Sequence, residues 1–174
     1  MVTHSQSGYL GWILGDARPN LVKAIVALEP NGPPFQNAIF TKNPARVFGL
    51  TDIPLTFNPP ISSTSDLRPF AVFEGENYTS FQQSFPPRRL VHLAQIPVLL
   101  VTSETGYHAV YDDFTVQFLQ EAGVNVTHTR LESMGIRGNG HMFFMELNSD
   151  QIAAEVVEPW IRNSLDTGWV GIPR

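Results

Sequence analysis

A chain of 174 residues with 43% hydrophobic and 16% charged residues has the composition of one globular domain and not of a disordered segment. Its formal net charge of −5 is spread without acidic or basic runs, so nothing recommends a nucleic-acid partner. The lack of cysteine excludes a disulfide, a thiol nucleophile and a thiolate metal site, and no stretch approaches the roughly 18 apolar residues of a membrane span.

The chain opens on Met1-Val2-Thr3-His4-Ser5-Gln6-Ser7-Gly8, and an apolar run begins at once. From Gln6 to about Arg18, Leu10, Ile13 and Leu14 recur at near-helical spacing, and Pro19-Asn20 stops the segment. Leu21 to Leu28, LVKAIVAL, is almost unbroken apolar sequence, too short for a typical helix, and predicts a strand buried on both faces of a parallel sheet. From Pro30 to Pro87 the character changes. Ten of the 14 prolines and eight of the 12 phenylalanines fall there, which rules out long regular elements yet argues against a solvated linker. Residues 30–95 therefore predict either a cap over the sheet edge or an irregular packed insertion. Ile96 to Ser103, IPVLLVTS, predicts a second buried strand. A helix is expected from His108 to about Glu121, with Val110, Phe114 and Phe118 on one face and Gly123 closing it. Val124 to Leu131 predicts a third, partly exposed strand. After a glycine-rich loop, a last helix from about Asp150 to Ser164 is expected to bury Ile152, Val156 and Trp160. Alternating strands and helices give an α/β class with a parallel sheet.

Acyl-transfer chemistry needs an activated nucleophile, a base to take its proton and an acid to orient the base. A strand-to-helix elbow exposes a serine oxygen and aims the next residue's N–H at a developing oxyanion. In Thr3-His4-Ser5-Gln6-Ser7, Ser5 is the candidate nucleophile, Gln6 supplies that N–H, and Thr3 and Ser7 take the positions that must be small. Alone, the pattern favours a serine-rich helix cap, which would look much the same. Glu29 follows the first long strand directly, where open α/β sheets bind ligands, and His141 stands in Gly138-Asn139-Gly140-His141, late in the chain. Serine, acid and histidine thus occur in the order of an α/β-hydrolase triad. Order alone also permits Glu104, which follows IPVLLVTS, with Asp112 and Asp113 further on.

These residues resemble an α/β-hydrolase fold family, nearest a fungal and bacterial group of esterase-like hydrolases. The likeness rests on THSQSG (Thr3 to Gly8), VALEPNGPP (Val26 to Pro34), GLTDIPLTFNPP (Gly49 to Pro60) and GNGHMFFMELNS (Gly138 to Ser149). It implies a serine hydrolase of esters or lactones, of a kind found among secondary-metabolite pathways, with Ser5 as nucleophile, His141 as base and Glu29 as the orienting acid; Glu104 stands as the alternative acid. It also implies that five strands precede the elbow, so the chain is expected to be the C-terminal half of the fold, strands 6 to 8 with their helices. A second oxyanion donor would then be missing, and the Leu21–Leu28 strand would present an apolar edge open to self-association. A catalytically inactive remnant or binding protein is the competing expectation.

The phenylalanine-rich segment suggests a small apolar ester as substrate. His108 and Asp112, four residues apart, could present two metal ligands on one helix face, but with no third ligand nearby a capping or surface role is expected, and no metal is assigned. His4 is expected to line the pocket or pack beneath it, and His92 and His128 to be structural or exposed. No G-x-G-x-x-G or Walker pattern occurs, so no nucleotide cofactor is implied. The N-terminus lacks a signal-peptide pattern, which leaves localisation open.

Overall fold

The computed structural model describes residues 1–166. Its centre is a four-stranded parallel sheet in the order β1 (Val2–Ser5), β2 (Ile25–Pro30), β7 (Val98–Thr102), β8 (Val126–Arg130). Every residue of β2 and β7 is buried, the condition of a parallel strand covered on both faces. Alternation along β2 divides the core. Ile25 and Ala27 join Trp12 of α1 (Gly8–Ala17) and Phe118 and Leu119 of α2 (Asp112–Glu121) on one face. Val26 and Leu28 join Leu99, Val101, Phe143, Ile152 and Val156 on the other.

The expected strand from Leu21 starts late. Leu21 is 75% exposed, and its N–H and that of Val22 bond the Arg18 carbonyl, so Leu21–Ala24 completes the turn out of α1. The strand begins at Ile25, where pairing with Val98 becomes available. It is also flanked on both sides, by β1 and β7, so the apolar edge expected there is absent and self-association through it has no support.

Between β2 and β7 the chain forms two small antiparallel sheets, β3 (Phe57–Asn58) with β6 (Arg89–Leu90) and β4 (Pro69–Glu74) with β5 (Thr79–Gln83). Phe35, Leu50, Leu55, Phe57, Leu67 and Leu90 from this segment are buried in the face shared with α1 and α2. The segment is thus packed against the sheet domain, while Phe40, Phe70, Phe73 and Phe85 remain exposed.

The helix expected from His108 divides. Tyr107–Val110 is a 3₁₀ turn and α2 begins at Asp112. Its buried face is Thr115, Val116, Phe118 and Leu119, with Val110 51% exposed. Gly123, at φ +82, follows the helix as expected. The C-terminal helix runs through α3 (Ser149–Ile152), a π turn (Ala153–Val157) and α4 (Glu158–Asp166). Ile152 and Val156 are buried and Trp160 packs partly against them. Among the described residues, no helix is long and apolar enough to cross a membrane.

The join between β1 and α1 is tight. A Cβ at Gly8 would lie 2.5 Å from Pro30 Cβ and 2.8 Å from its Cα, so backbone would have to move. Gly8→Ala is expected to cost about 1–3 kcal/mol of stability, read as a lower urea midpoint at unchanged slope.

Candidate active site

The three residues singled out by order along the chain meet at the C-terminal ends of the parallel strands. Ser5 ends β1 with φ +53, and Glu29 lies near the end of β2 with φ +41, both left-handed and uncommon for residues with side chains. The β1–β2 register breaks at this point: His4 pairs with Leu28, but Ser5 pairs with Pro30, leaving Glu29 as a bulge. The turn is tied by hydrogen bonds. The His4 N–H donates to Ser7 Oγ at 2.9 Å, Ser7 Oγ–H donates to the His4 carbonyl at 2.7 Å, and the Asn31 N–H donates to the Ser5 carbonyl at 2.9 Å. Ser7 thus closes the elbow. Thr3, the other position expected to be small, packs against Gly11, where a Cβ would approach Thr3 Cγ2 to 3.2 Å.

His141 joins the two strands. Its Nε2 is 2.9 Å from Ser5 Oγ and its Nδ1 is 2.5 Å from Glu29 Oε2. Because an ionised carboxylate only accepts, Nδ1 carries the proton and Nε2 is free to accept from Ser5. Glu29 is fully buried. Its other oxygen accepts from the Ser103 N–H at 2.8 Å and Ser103 Oγ–H at 2.5 Å. Gly106 makes room for this carboxylate, since a Cβ there would lie 2.5 Å from Glu29 Oε1.

Glu104 is placed elsewhere. It accepts from Arg137 Nη1 at 2.7 Å and the Gly138 N–H at 2.8 Å, and the Gly138 N–H, helped by Arg137, holds its carboxyl below the usual range. Of the other acids considered, Asp113 pairs with Arg130 and His128 at the edge of β8.

The histidine loop has supports that sequence order did not reveal. Asn139, 2% exposed, donates to Glu146 Oε2 at 2.5 Å and Asn148 Oδ1 at 2.7 Å, and its carbonyl accepts from Thr105. Glu146 also accepts from the Gly140 N–H at 2.9 Å. Both partners lie within GNGHMFFMELNS, so their recurrence in one short motif was the available signal.

A cavity of about 290 Å³ opens beside Ser5 and Gln6. Among the described residues the Gln6 N–H has no hydrogen-bond partner. Of the eight phenylalanines between Pro30 and Pro87, Phe40 alone lines this cavity, together with polar groups including Asn31, Arg46 and Tyr107. Arg46 is 5% exposed, and its guanidinium donates to the Pro33 and Gln36 carbonyls and Asn37 Oδ1.

The remaining histidines are placed as follows. His4 packs on His141, with ring centroids 4.5 Å apart and Nε2 2.8 Å from the His141 carbonyl, and is not among the residues lining the cavity. His92 bonds the Asp16 carbonyl, and His128 bonds Thr102. His108 and Asp112, expected at the surface or a cap, are 1% and 0% exposed. His108 Nδ1 meets Asp112 Oδ1 at 3.1 Å, and its ring lies on His141 at 4.7 Å and 4°. Sequence could not show this, because the burial comes from neighbours far along the chain.

Glu29, His108 and His141 bring one possible metal-ligand atom each within 4.8 Å of one another. Both His141 nitrogens and His108 Nδ1 are already engaged. Parallel stacked rings also direct their in-plane lone pairs into separate planes, a poor fit to a shared ion.

No protein-family model matches the chain. Over 165 residues it is 44% identical to "Probable secreted lipase phiG" of Fungal sp. (strain ATCC 74256), a match covering 93% of this chain. The likeness to that lipase runs along nearly the whole of this chain. It spans 45% of that relative's length.

The buried His108–Asp112 pair has its own effect on stability. Desolvation drives His108 down to about 4 from an ordinary 6.5, with Glu29 opposing the shift and His4 and Arg46 reinforcing it. Desolvation also drives Asp112 well above its ordinary 3.8, against the hydrogen bond from Thr102. The two shifts have opposite consequences: the lowered His108 makes the unfolded state bind more protons between about pH 4 and 6.5, and the raised Asp112 makes the folded state bind more above pH 3.8. Asp112→Asn leaves His108 alone, the unfolded state then binds more protons, and stability relative to wild type is expected to rise from about pH 4 to 6.5. His108→Phe leaves Asp112 alone, the folded state binds more, and relative stability is expected to fall as pH rises above 3.8. Melting temperatures of the three proteins across this range check the opposite signs.

Proposed function

We propose that this chain carries the catalytic apparatus of a serine hydrolase acting on carboxylic esters or lactones, within the C-terminal half of an α/β-hydrolase fold. The observation that carries the proposal is the continuous contact from Ser5 through His141 to the buried Glu29. The likeness to a protein named as a lipase supports the same substrate chemistry. Residues 30–95 act as the cap, because part of that segment walls the cavity beside Ser5.

In this reading Ser5 Oγ attacks the ester carbonyl as its proton passes to His141 Nε2. Glu29 holds the imidazole in the Nδ1–H tautomer and stabilises the imidazolium that forms. The oxyanion accepts from the Gln6 N–H, whose freedom from other partners suits it to that role. Collapse breaks the bond to the alcohol, which takes the proton from His141 and leaves an acyl group on Ser5. Water, deprotonated by the same imidazole, then releases the acid. Glu29 is the orienting acid in preference to Glu104, because it accepts from His141 while Glu104 is committed to Arg137 and Gly138.

A fluorophosphonate probe with mass analysis is expected to place one adduct on Ser5, abolished in Ser5→Ala. Glu29→Gln is expected to lower ester turnover by roughly 10³–10⁴-fold, and Glu104→Gln to cost far less. A folded protein that gives no adduct on Ser5 would sink the reading, and a larger loss in Glu104→Gln would reassign the acid.

A further inference from the structure

Hydrogen bonds alone hold an imidazole loosely. Nδ1 rests on Glu29 at 2.5 Å, and Nε2 has Ser5 Oγ at 2.9 Å and Tyr107 Oη at 3.3 Å. A small rotation about the Cβ–Cγ bond swings the ring out of its plane and carries Nε2 out of line with Ser5 Oγ, at little cost in bonds whose strength varies slowly near linearity. A flat, immobile surface against one face of the ring removes that freedom.

His108 is such a surface. Its ring lies 4.7 Å from that of His141 with the planes 4° apart, whereas His4, on His141 at 4.5 Å, is tilted by 37°. Tyr107, next to His108 in the chain, is tilted by 47° at 4.6 Å. His108 is itself held. It is 1% exposed and stands in the 3₁₀ turn that leads into α2, and Asp112, the first residue of α2, meets its Nδ1 at 3.1 Å. The other Asp112 oxygen accepts from Thr102 Oγ1–H at 2.7 Å, and Thr102 is the last residue of β7. Thr102 in turn bonds His128 Nε2 on β8 at 2.9 Å. The stacking surface is therefore tied to two strands of the central sheet through buried side chains.

We propose that His108 is a positioning residue for His141: clamped by Asp112 and Thr102, its ring holds the imidazole in the plane that serves Glu29 at one nitrogen and Ser5 at the other. The inference rests on the hydrolase reading above for its effect on rate, and on geometry alone for its effect on the ring. The pair that sequence spacing offered as metal ligands thus acts on the neighbouring histidine.

The test compares His108→Ala, which removes the ring, with His108→Phe, which restores a flat neutral one. His108→Ala is expected to lower kcat by roughly 10- to 100-fold, as for a misplaced catalytic group, with KM changed less than threefold and kcat referred to the fraction of protein titrated by the probe. His108→Phe is expected to recover most of that loss. A residue that only fills space would lower the melting temperature and leave kcat per titrated molecule unchanged, which would overturn the proposal. So would equal losses in both variants. If His108→Ala does not fold, His108→Phe alone decides: kcat within about threefold of wild type supports the proposal and a loss beyond tenfold overturns it. The NMR signal of the His141 Nδ1 proton gives a reading independent of turnover. It is expected in wild type and His108→Phe and broadened by exchange in His108→Ala; an equally sharp signal in His108→Ala overturns the positioning role. Failure of wild type to label at Ser5, with that signal still sensitive to His108, would instead count against the hydrolase reading.

Discussion

A carboxylate with no exposure to water sits near the end of a central strand, and the neighbouring structure is arranged around the cost of keeping it there. Withdrawing an ion from water costs several kcal/mol unless its oxygens are matched by donors. Glu29 obtains two donors from Ser103 and one from His141. Each donor imposes a condition on the chain. Ser103 must follow β7 directly, so that its backbone and side chain both reach the strand beside it. Residue 106 must lack a side chain, because a Cβ would press on the same carboxylate. The histidine loop must return to β2 from 112 residues downstream, which explains the dense bonding of Asn139, Glu146 and Asn148 behind it.

The parallel sheet makes these conditions compatible. In parallel order all strands end at one edge, so β1, β2 and β7 deliver Ser5, Glu29 and Ser103 side by side without further folding. The cost appears in the backbone. Two left-handed residues, one on each strand of the β1–β2 pair, cost roughly 1–2 kcal/mol each, where the register slips by one residue. Regular pairing would have placed Glu29 opposite Ser5. The bulge offsets the two, and an imidazole spans them. Hydrogen bonds of Ser7 to His4 and of Asn31 to Ser5 hold the strained turn in place.

How far this was legible depends on what each residue answers to. The buried strands could be read because their signal is local: Ile25–Leu28 and Val98–Val101 are apolar without interruption, as burial on both faces requires. The start of β2 could not, because Leu21 is as apolar as its successors and only the position of Val98 decides where pairing begins. Ser5, Glu29 and His141 stood out through their order, and the structure brings all three into contact. His108 and Asp112 were misjudged for a physical reason. An i, i+4 pair of polar residues looks like a solvated face, and its burial is set by Thr102 and by the ring of His141, 33 residues away. The irregular segment between β2 and β7 resisted reading because short strands broken by proline carry little periodicity.

That misjudged pair also bears on the electrostatics of the site. His141 lies between His4 and His108, at 4.5 and 4.7 Å. A proton on either neighbour would repel a charge on His141 by about 4 kcal/mol at an effective dielectric of 20. Desolvation lowers the proton affinity of both neighbours, and takes His108 to about 4. The flanking rings therefore supply aromatic surface without charge. Glu29, fully buried, meets His141 Nδ1 at 2.5 Å on the edge of the ring that neither neighbour covers. Three histidines close together would be a liability on a surface. Here the same packing that buries the carboxylate lowers the proton affinity of the two rings that flank the third.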